Sequence, residues 1–396
     1  MKSIVISAVA SATLMAGGYA IPESSINATA LSAAYVANAH GADAAYYNPA
    51  AMVYNDDANL LEVDATYIGL SPIDFSGTTG SYSSKKENFL VPTLHYTSKK
   101  LGENGARFGF SIVAPAGLSK RWDAAVPKAT AQEFTLETIE FNPSFAIPVS
   151  DTVSFGAGFR VISSSGIVKS TAAVSRNMEG SSIDYGYNLA LMYKPTPALN
   201  VAATYRSKID LSVEGNAKLY VGAPVGVPAY NGDVSVSIPV PAALNLAASY
   251  SFGQGTTIEA VYERTFWSAY KDLDFNYPVS IGFLAPFFDA AKPKNWKDTN
   301  TYRLGLTQKY DQWTAMAGIA YDETPAPDAT LGYELPDSDA VMVSLGGRYQ
   351  IDPHWNVGLA GLVDMKKDRT VHNSSINGDF SNARAYLVTA GIEYRF

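Results

Sequence analysis

Few residues in this chain could do covalent chemistry. The four histidines, His40, His95, His354 and His372, lie far apart in the 396-residue sequence. None has a neighbour at metal-ligand spacing, and no nucleophilic serine motif accompanies them. There is no cysteine, which removes disulfide frameworks, thiolate metal sites and thiol catalysis. The formal charge of −8 leaves no large basic surface to neutralise phosphates, so no nucleic-acid partner is expected. No enzyme activity, cofactor or metal is expected either. What the chain has in quantity is apolar and aromatic: 47% hydrophobic residues and 12% aromatic, against 17% charged. Soluble domains carry about 25% charged residues. The composition is that of a membrane protein, yet the mean hydropathy is near zero.

Two runs concentrate apolar surface between regular elements. Tyr277, Pro278, Val279, Ile281, Phe283, Leu284, Pro286, Phe287 and Phe288 form one, and Tyr220, Val221, Val225, Val227 and Tyr230 form the other. Exposed patches of that size usually mark a binding surface. The competing reading is that the runs pack on each other and close the mouth of the fold.

The elements that would position these residues can be read from period and length. Lys2, the apolar stretch Ile4–Ala16 and small residues at Gly18-Tyr19-Ala20 predict an export signal over 1–20, too short for a membrane helix. No other stretch reaches 18 continuous apolar residues. The last strand puts Tyr386, Val388, Ala390, Ile392, Tyr394 and the terminal Phe396 on one face. Thr389, Gly391, Glu393 and Arg395 lie on the other, because side chains alternate along a strand. An apolar face outward and a small or polar face inward suits a barrel strand in lipid. The same alternation recurs around Val153–Val161, Trp313–Tyr321 and Trp355–Val363.

The count is about fourteen strands, near 59–69, 87–98, 105–114, 134–147, 152–165, 183–193, 198–208, 236–250, 256–268, 299–309, 312–321, 339–349, 354–365 and 384–396. Short connections alternate with long ones near 70–86, 115–133, 166–182, 209–235, 269–298, 322–338 and 366–383. Short periplasmic turns and long outer loops are the habit of outer-membrane barrels. The expectation is therefore an all-β transmembrane antiparallel barrel over 58–396, held as a monomer in outer-membrane lipid. Residues 21–57 do not read as strand. Their alanine-rich helical stretch and the turn at Asn48-Pro49 suit a partly helical plug in the lumen, or otherwise a periplasmic tail.

Here a resemblance becomes specific. Asp43 and Asn48-Pro49-Ala50 after an alanine-rich stretch resemble the hatch of the FadL-type outer-membrane transporters. Phe110–Leu118, Phe141-Asn142-Pro143-Ser144, Asn295-Trp296-Lys297-Asp298-Thr299 and Ala317–Asp322 with Leu335-Pro336-Asp337-Ser338-Asp339 are similar to later stretches of that family, in order. The chain departs from the pattern between Asp43 and Asn48, where it is shorter. It also carries Ala51-Met52 in place of Gly-Leu.

The resemblance implies a fourteen-stranded barrel plugged by a hatch over 21–57. It implies passive uptake of long-chain fatty acids or other hydrophobic compounds through an external groove, a lumen site and a lateral opening. The groove residues would be Tyr220, Val221, Tyr277, Ile281, Phe283, Leu284, Phe287 and Phe288. Asp43, Asn48 and Pro49 would set the hatch, and Ala106, Gly109 and Ser111 the lateral opening. A fatty-acid carboxylate leaving water needs a cation, for which Arg160, Arg303 and Arg107 are candidates. Pairing of these arginines with inward acids such as Glu259, Glu263 or Asp364 is the competing reading. Uptake of monoaromatics or alkanes is the alternative function, and a general porin a more distant one.

Overall fold

The computed structural model describes residues 17–396. The expected leader falls outside the described residues over 1–16. Fourteen antiparallel barrel strands follow an N-terminal segment with short helices. They are β1 (Leu60–Leu70), β2 (Glu87–Thr97), β3 (Arg107–Val113, resumed at Gly117–Arg121), β4 (Glu133–Pro148), β5 (Val153–Ser170), β6 (Val174–Tyr193), β7 (Leu199–Arg206 and Ile209–Val221), β8 (Tyr230–Val240 and Ala243–Ser251), β9 (Thr256–Thr265), β10 (Thr299–Tyr310), β11 (Trp313–Asp322), β12 (Ala340–Gln350), β13 (Trp355–Lys366) and β14 (Arg384–Arg395). The first and last strands pair from Leu60↔Arg395 to Leu70↔Ala385. That seam closes the barrel by pairing its first and last strands.

The alternation works as read. On β14, Tyr386, Val388 and Ile392 are exposed, while Leu387 and Thr389 are buried. On β5, Phe155 and Phe159 point out and Ser154 and Arg160 are buried. Rings cluster at one end of the wall, where Trp313 stacks near Tyr349 at 4.5 Å and Trp355 near Tyr394 at 4.3 Å. Such rings suit a membrane interface, apolar in body and wet at the tip.

Two expected loops are strand. Segments 166–182 and 209–235 were expected as long connections, but β5 and β6 stay paired out to Ser170↔Arg176, and β7 and β8 out to Leu219↔Tyr230. Stretches such as Ser163-Ser164-Ser165-Gly166 and Glu179-Gly180-Ser181-Ser182 lack the apolar alternation of a lipid-facing strand. The backbone ladder continues there on its own hydrogen bonds.

The hatch contains α1 (Ile26–Ala30), α2 (Ala44–Tyr47) and a 3₁₀ turn over Pro49–Tyr54. Ser25 caps α1 through the Ala28 amide, and Pro49 starts the 3₁₀ turn, where no amide is missed. Nearly all of 21–52 is buried. The wall makes room with glycine. A Cβ at Gly156 would sit 2.5 Å from the Ala50 nitrogen, and one at Gly318 2.1 Å from the Leu31 carbonyl carbon.

Candidate functional site

The hatch is tied to the wall by directional polar bonds. Glu259 on β9 accepts from the amides of Val36, Ala37 and Asn38 at 2.7, 2.6 and 3.1 Å. Ser32 and Thr29 meet Ser344 and Thr389 through their hydroxyls, each at 2.8 Å. Arg348 on β12 bonds Glu62 at 2.6 Å and Asn27 at 2.7 Å, and Asn27 passes a hydrogen bond on to Asp43 at 3.1 Å. Tyr35 also donates to Asp43, at 3.0 Å. Burial, with the Glu62 charge nearby, raises the Asp43 pKa above the usual carboxylate range. Asn48 donates to the Val36 carbonyl at 2.8 Å, folding the hatch on itself. Pro49 lies under Gly156. Asp43 is thus bonded within the hatch, while Asn48 and Pro49 also touch the wall at Met192 and Gly156.

The three lumen arginines are already engaged. Arg160 forms a two-pronged pair with Glu140, at 3.1 Å from Nε and 2.9 Å from NH2, and donates to the Ser207 carbonyl at 2.7 Å. Arg206 bonds the same Glu140 and lies over the Tyr46 ring at 4.2 Å. Arg303 sits 3.5 Å from Glu263 and donates to the Ser32 carbonyl at 3.2 Å. Arg107 donates to the carbonyls of Ser98 and Asn55 at 2.9 and 2.6 Å, near the hatch's far end.

A different cation is less committed. Arg176, near the outer end of β6, is 4% exposed. It lies between the rings of Phe275 and Phe288 at 5.1 and 5.9 Å, a cation–π arrangement. Its Nε and NH1 have no hydrogen-bond partner, and neither has the neighbouring Tyr277 hydroxyl. Nothing in the local sequence Val174-Ser175-Arg176 marked it, because its ring partners come from a segment about a hundred residues away.

The outer apolar runs divide. Ile281, Leu284 and Phe288 are buried in one cluster with Leu219, Trp267, Tyr270 and Trp296. Tyr220 and Tyr277 are half-buried, and Val221, Phe283 and Phe287 stay exposed. The runs are thus partly packed into the cluster and partly exposed. Between cluster and hatch lies a cavity of about 120 Å³, lined by Tyr46, Tyr47, Pro49, Leu189, Tyr205 and Trp267 together with the polar and charged Asn188, Thr204, Asn245, Arg160, Arg206 and Glu263. A broader groove of about 1090 Å³ runs along the outer parts of β4 to β8. Glu137, Glu179, Glu214 and Asp233 line it, and no Lys or Arg does.

The wall is interrupted on β3. Strands β2 and β3 pair only over Leu94–Thr97 and Gly109–Ile112. Beyond Val113 the strand breaks at Ala114-Pro115-Ala116, where Pro115 has no amide to donate, and resumes at Gly117. The hatch leader fills in: the Ile21 amide donates to Pro115, and the Gly117 amide to Tyr19. The residues expected to form the opening, Ala106, Gly109 and Ser111, lie on the N-terminal side of this break. Gly109 and Ser111 are paired with β2 and with β4, and Ala106 bridges Leu101.

With the fold and the site in place, the chain can be set beside known proteins. Residues 7–396 match the outer membrane protein transport protein family, OMPP1/FadL/TodX. The chain belongs to this family. It is 23% identical over 387 residues to the long-chain fatty acid transport protein of Escherichia coli O6:H1, covering 87% of this chain and 84% of that one. Its fold is similar to that of a Pseudomonas aeruginosa FadL homologue (TM-score 0.81, 21% identity, 95% and 99% of the two chains). It is also similar to the Ralstonia pickettii toluene transporter TbuX (TM-score 0.73, 19% identity, 94% and 98%). Like the rest of the OMPP1/FadL/TodX family, this chain is a passive outer-membrane channel for hydrophobic small molecules in a Gram-negative bacterium, and not an enzyme.

Proposed function

We propose that the preferred cargo is uncharged: monoaromatic or alkane hydrocarbons that enter through the outer apolar cluster. The observation that carries this reading is the state of the lumen arginines. Arg160 is bonded to Glu140, which it shares with Arg206, Arg303 faces Glu263, and Arg107 donates to backbone carbonyls. A carboxylate brought to them would compete with partners already in place. The acid-lined outer groove would repel an anion further. The rings and aliphatic residues that share the cavity wall reward burial of an uncharged cargo, at about 25 cal/mol per Å². From that cavity, the break at Ala114–Ala116 supplies a lateral exit to the lipid. A single barrel contains the whole path, which fits a monomer.

Long-chain fatty acid is the second reading, and Arg176 favours it. A buried guanidinium with two unpartnered nitrogens beside an unpartnered tyrosine hydroxyl is chemically suited to a carboxylate. The E. coli relative is named for fatty-acid transport and the R. pickettii structure for toluene.

The test is uptake of labelled toluene and labelled oleate by cells with and without the protein. Protein-dependent toluene uptake, unchanged by Arg176→Ala, supports the first reading. Oleate uptake that falls about tenfold in Arg176→Ala, the loss ~1.4 kcal/mol would give, supports the second. If neither label depended on the protein, both readings would fail.

A further inference from the structure

The sequence points to leader cleavage after Ala20, yet the residues just before that position are built into the barrel. Tyr19 is 2% exposed. Its ring lies 4.7 Å from Trp267, 6.2 Å from Tyr270 and 5.7 Å from Trp296, centroid to centroid. Its carbonyl accepts from Gly117 at 2.9 Å, and Ala20 bridges Ala116. Gly18 has φ +80°, and a Cβ there would fall 2.6 Å from Trp267 and 2.9 Å from Trp296. Only glycine fits that conformation at that approach. A leader is removed before an exported barrel assembles, so a cage fitted this closely to Gly18 and Tyr19 belongs to residues that remain in the mature chain.

The charges give a second, independent reason. The Gly17 amide bonds the Asp322 carboxylate, and the Gly18 amide lies 3.1 Å from Asp337. Both aspartates are buried, at 2% and 0% exposure, and Asp364 close by is 1% exposed with neither oxygen hydrogen-bonded. Lys366 pairs with Asp337 at 2.6 Å, and Arg303 is the other cation near Asp322, so among the described residues three buried carboxylates share two cations, one of which also faces Glu263. Buried carboxylates in that excess are costly without a further cation. A chain beginning at Gly17 would bring one.

We propose that the mature protein starts at Gly17, with its α-ammonium held by Asp322 while Asp337 beside it takes the Gly18 amide. A membrane leader peptidase would hydrolyse the Ala16–Gly17 bond. Water supplies the hydroxyl that becomes part of the Ala16 carboxylate, and the released Gly17 nitrogen takes up protons to become the ammonium. Ala16 supplies the small residue needed at the −1 position. The proposal does not depend on which hydrophobe the channel carries.

N-terminal sequencing and intact mass of the protein isolated from outer membranes test it directly. The expected first residue is Gly17; a mature chain beginning at Ile21 overturns the proposal. The pairing is read by amine-reactive labelling of the α-amino group of folded wild type and of Asp322→Asn/Asp337→Asn. Labelling of the wild type should be about tenfold slower, the ratio ~1.4 kcal/mol of pairing would give. Equal rates would refute the ammonium's role. Since sequencing reads the wild type, it stands even if the double variant does not fold.

Discussion

The inner and outer parts of the lumen are built on different physics. Around the hatch the contacts are directional: Glu259 takes three amides, and Arg348 links Glu62, Asn27 and so Asp43. Toward the outside the contacts are apolar, with Trp267, Trp296, Tyr270, Leu284 and Phe288 in one cluster. Hydrogen bonds hold one geometry and are costly to leave half made. Apolar contacts scale with area and tolerate exchange of partner. A plug needs the first property and a path for varied hydrophobes needs the second.

The sharpest way to break this division is at Arg348. Arg348→Ala leaves Glu62 buried without its cation, so the folded barrel should lose about 3–5 kcal/mol and the hatch its anchor. Denaturant unfolding and planar-bilayer recordings would check it: reduced stability with larger conductance is expected, while a quiet, equally stable channel would show that the polar ties do not hold the plug. On the apolar side, Phe288→Ala should weaken binding of a hydrophobic probe about tenfold, or ~1.4 kcal/mol, and leave conductance alone. A conductance rise in this variant would merge the two regions into one.

A pH-dependent effect is expected at Glu23. This hatch carboxyl is buried with both oxygens lacking partners. Burial pushes its pKa up to about 7, Asp364 adds to the rise, and Arg303 partly opposes it. A carboxyl raised in the fold is tolerated while protonated, and its stability cost grows as pH rises from the unfolded value through about 7. Glu23→Gln should therefore stabilise the protein by about 1–2 kcal/mol at pH 8 and change little at pH 5. An equal gain at both pH values would mean that ionisation is not the cause.

Much of the barrel was legible because its signal is local. Val153–Val161 or Tyr386–Phe396 shows which face meets lipid without knowledge of any neighbour strand. The outer ends of β5 to β8 were less legible. Beyond the membrane they carry serine, glycine and glutamate, and only their pairing makes them strand. Asp43, Asn48 and Pro49 stood out as a motif, but their work inside the hatch depends on Asn27, Tyr35 and Val36. The arginines were the hardest. Arg160 and Arg303 read either as ligand contacts or as partners of inward acids, whereas Arg176 looked ordinary.

By itself the sequence determined the export, the period-two strands, the plug-like segment and the apolar outer runs. Each follows from residue type and spacing within a few positions. Tertiary structure alone decided which charges are spent, where the third strand breaks from its neighbour, and that Tyr19 lies in a cage of Trp267, Tyr270 and Trp296. Those depend on groups far apart in the chain, such as Val36 and Glu259 or Gly18 and Asp337. A hydrogen bond or ion pair is set by distances of a few ångströms, and only the closed barrel brings such groups that near.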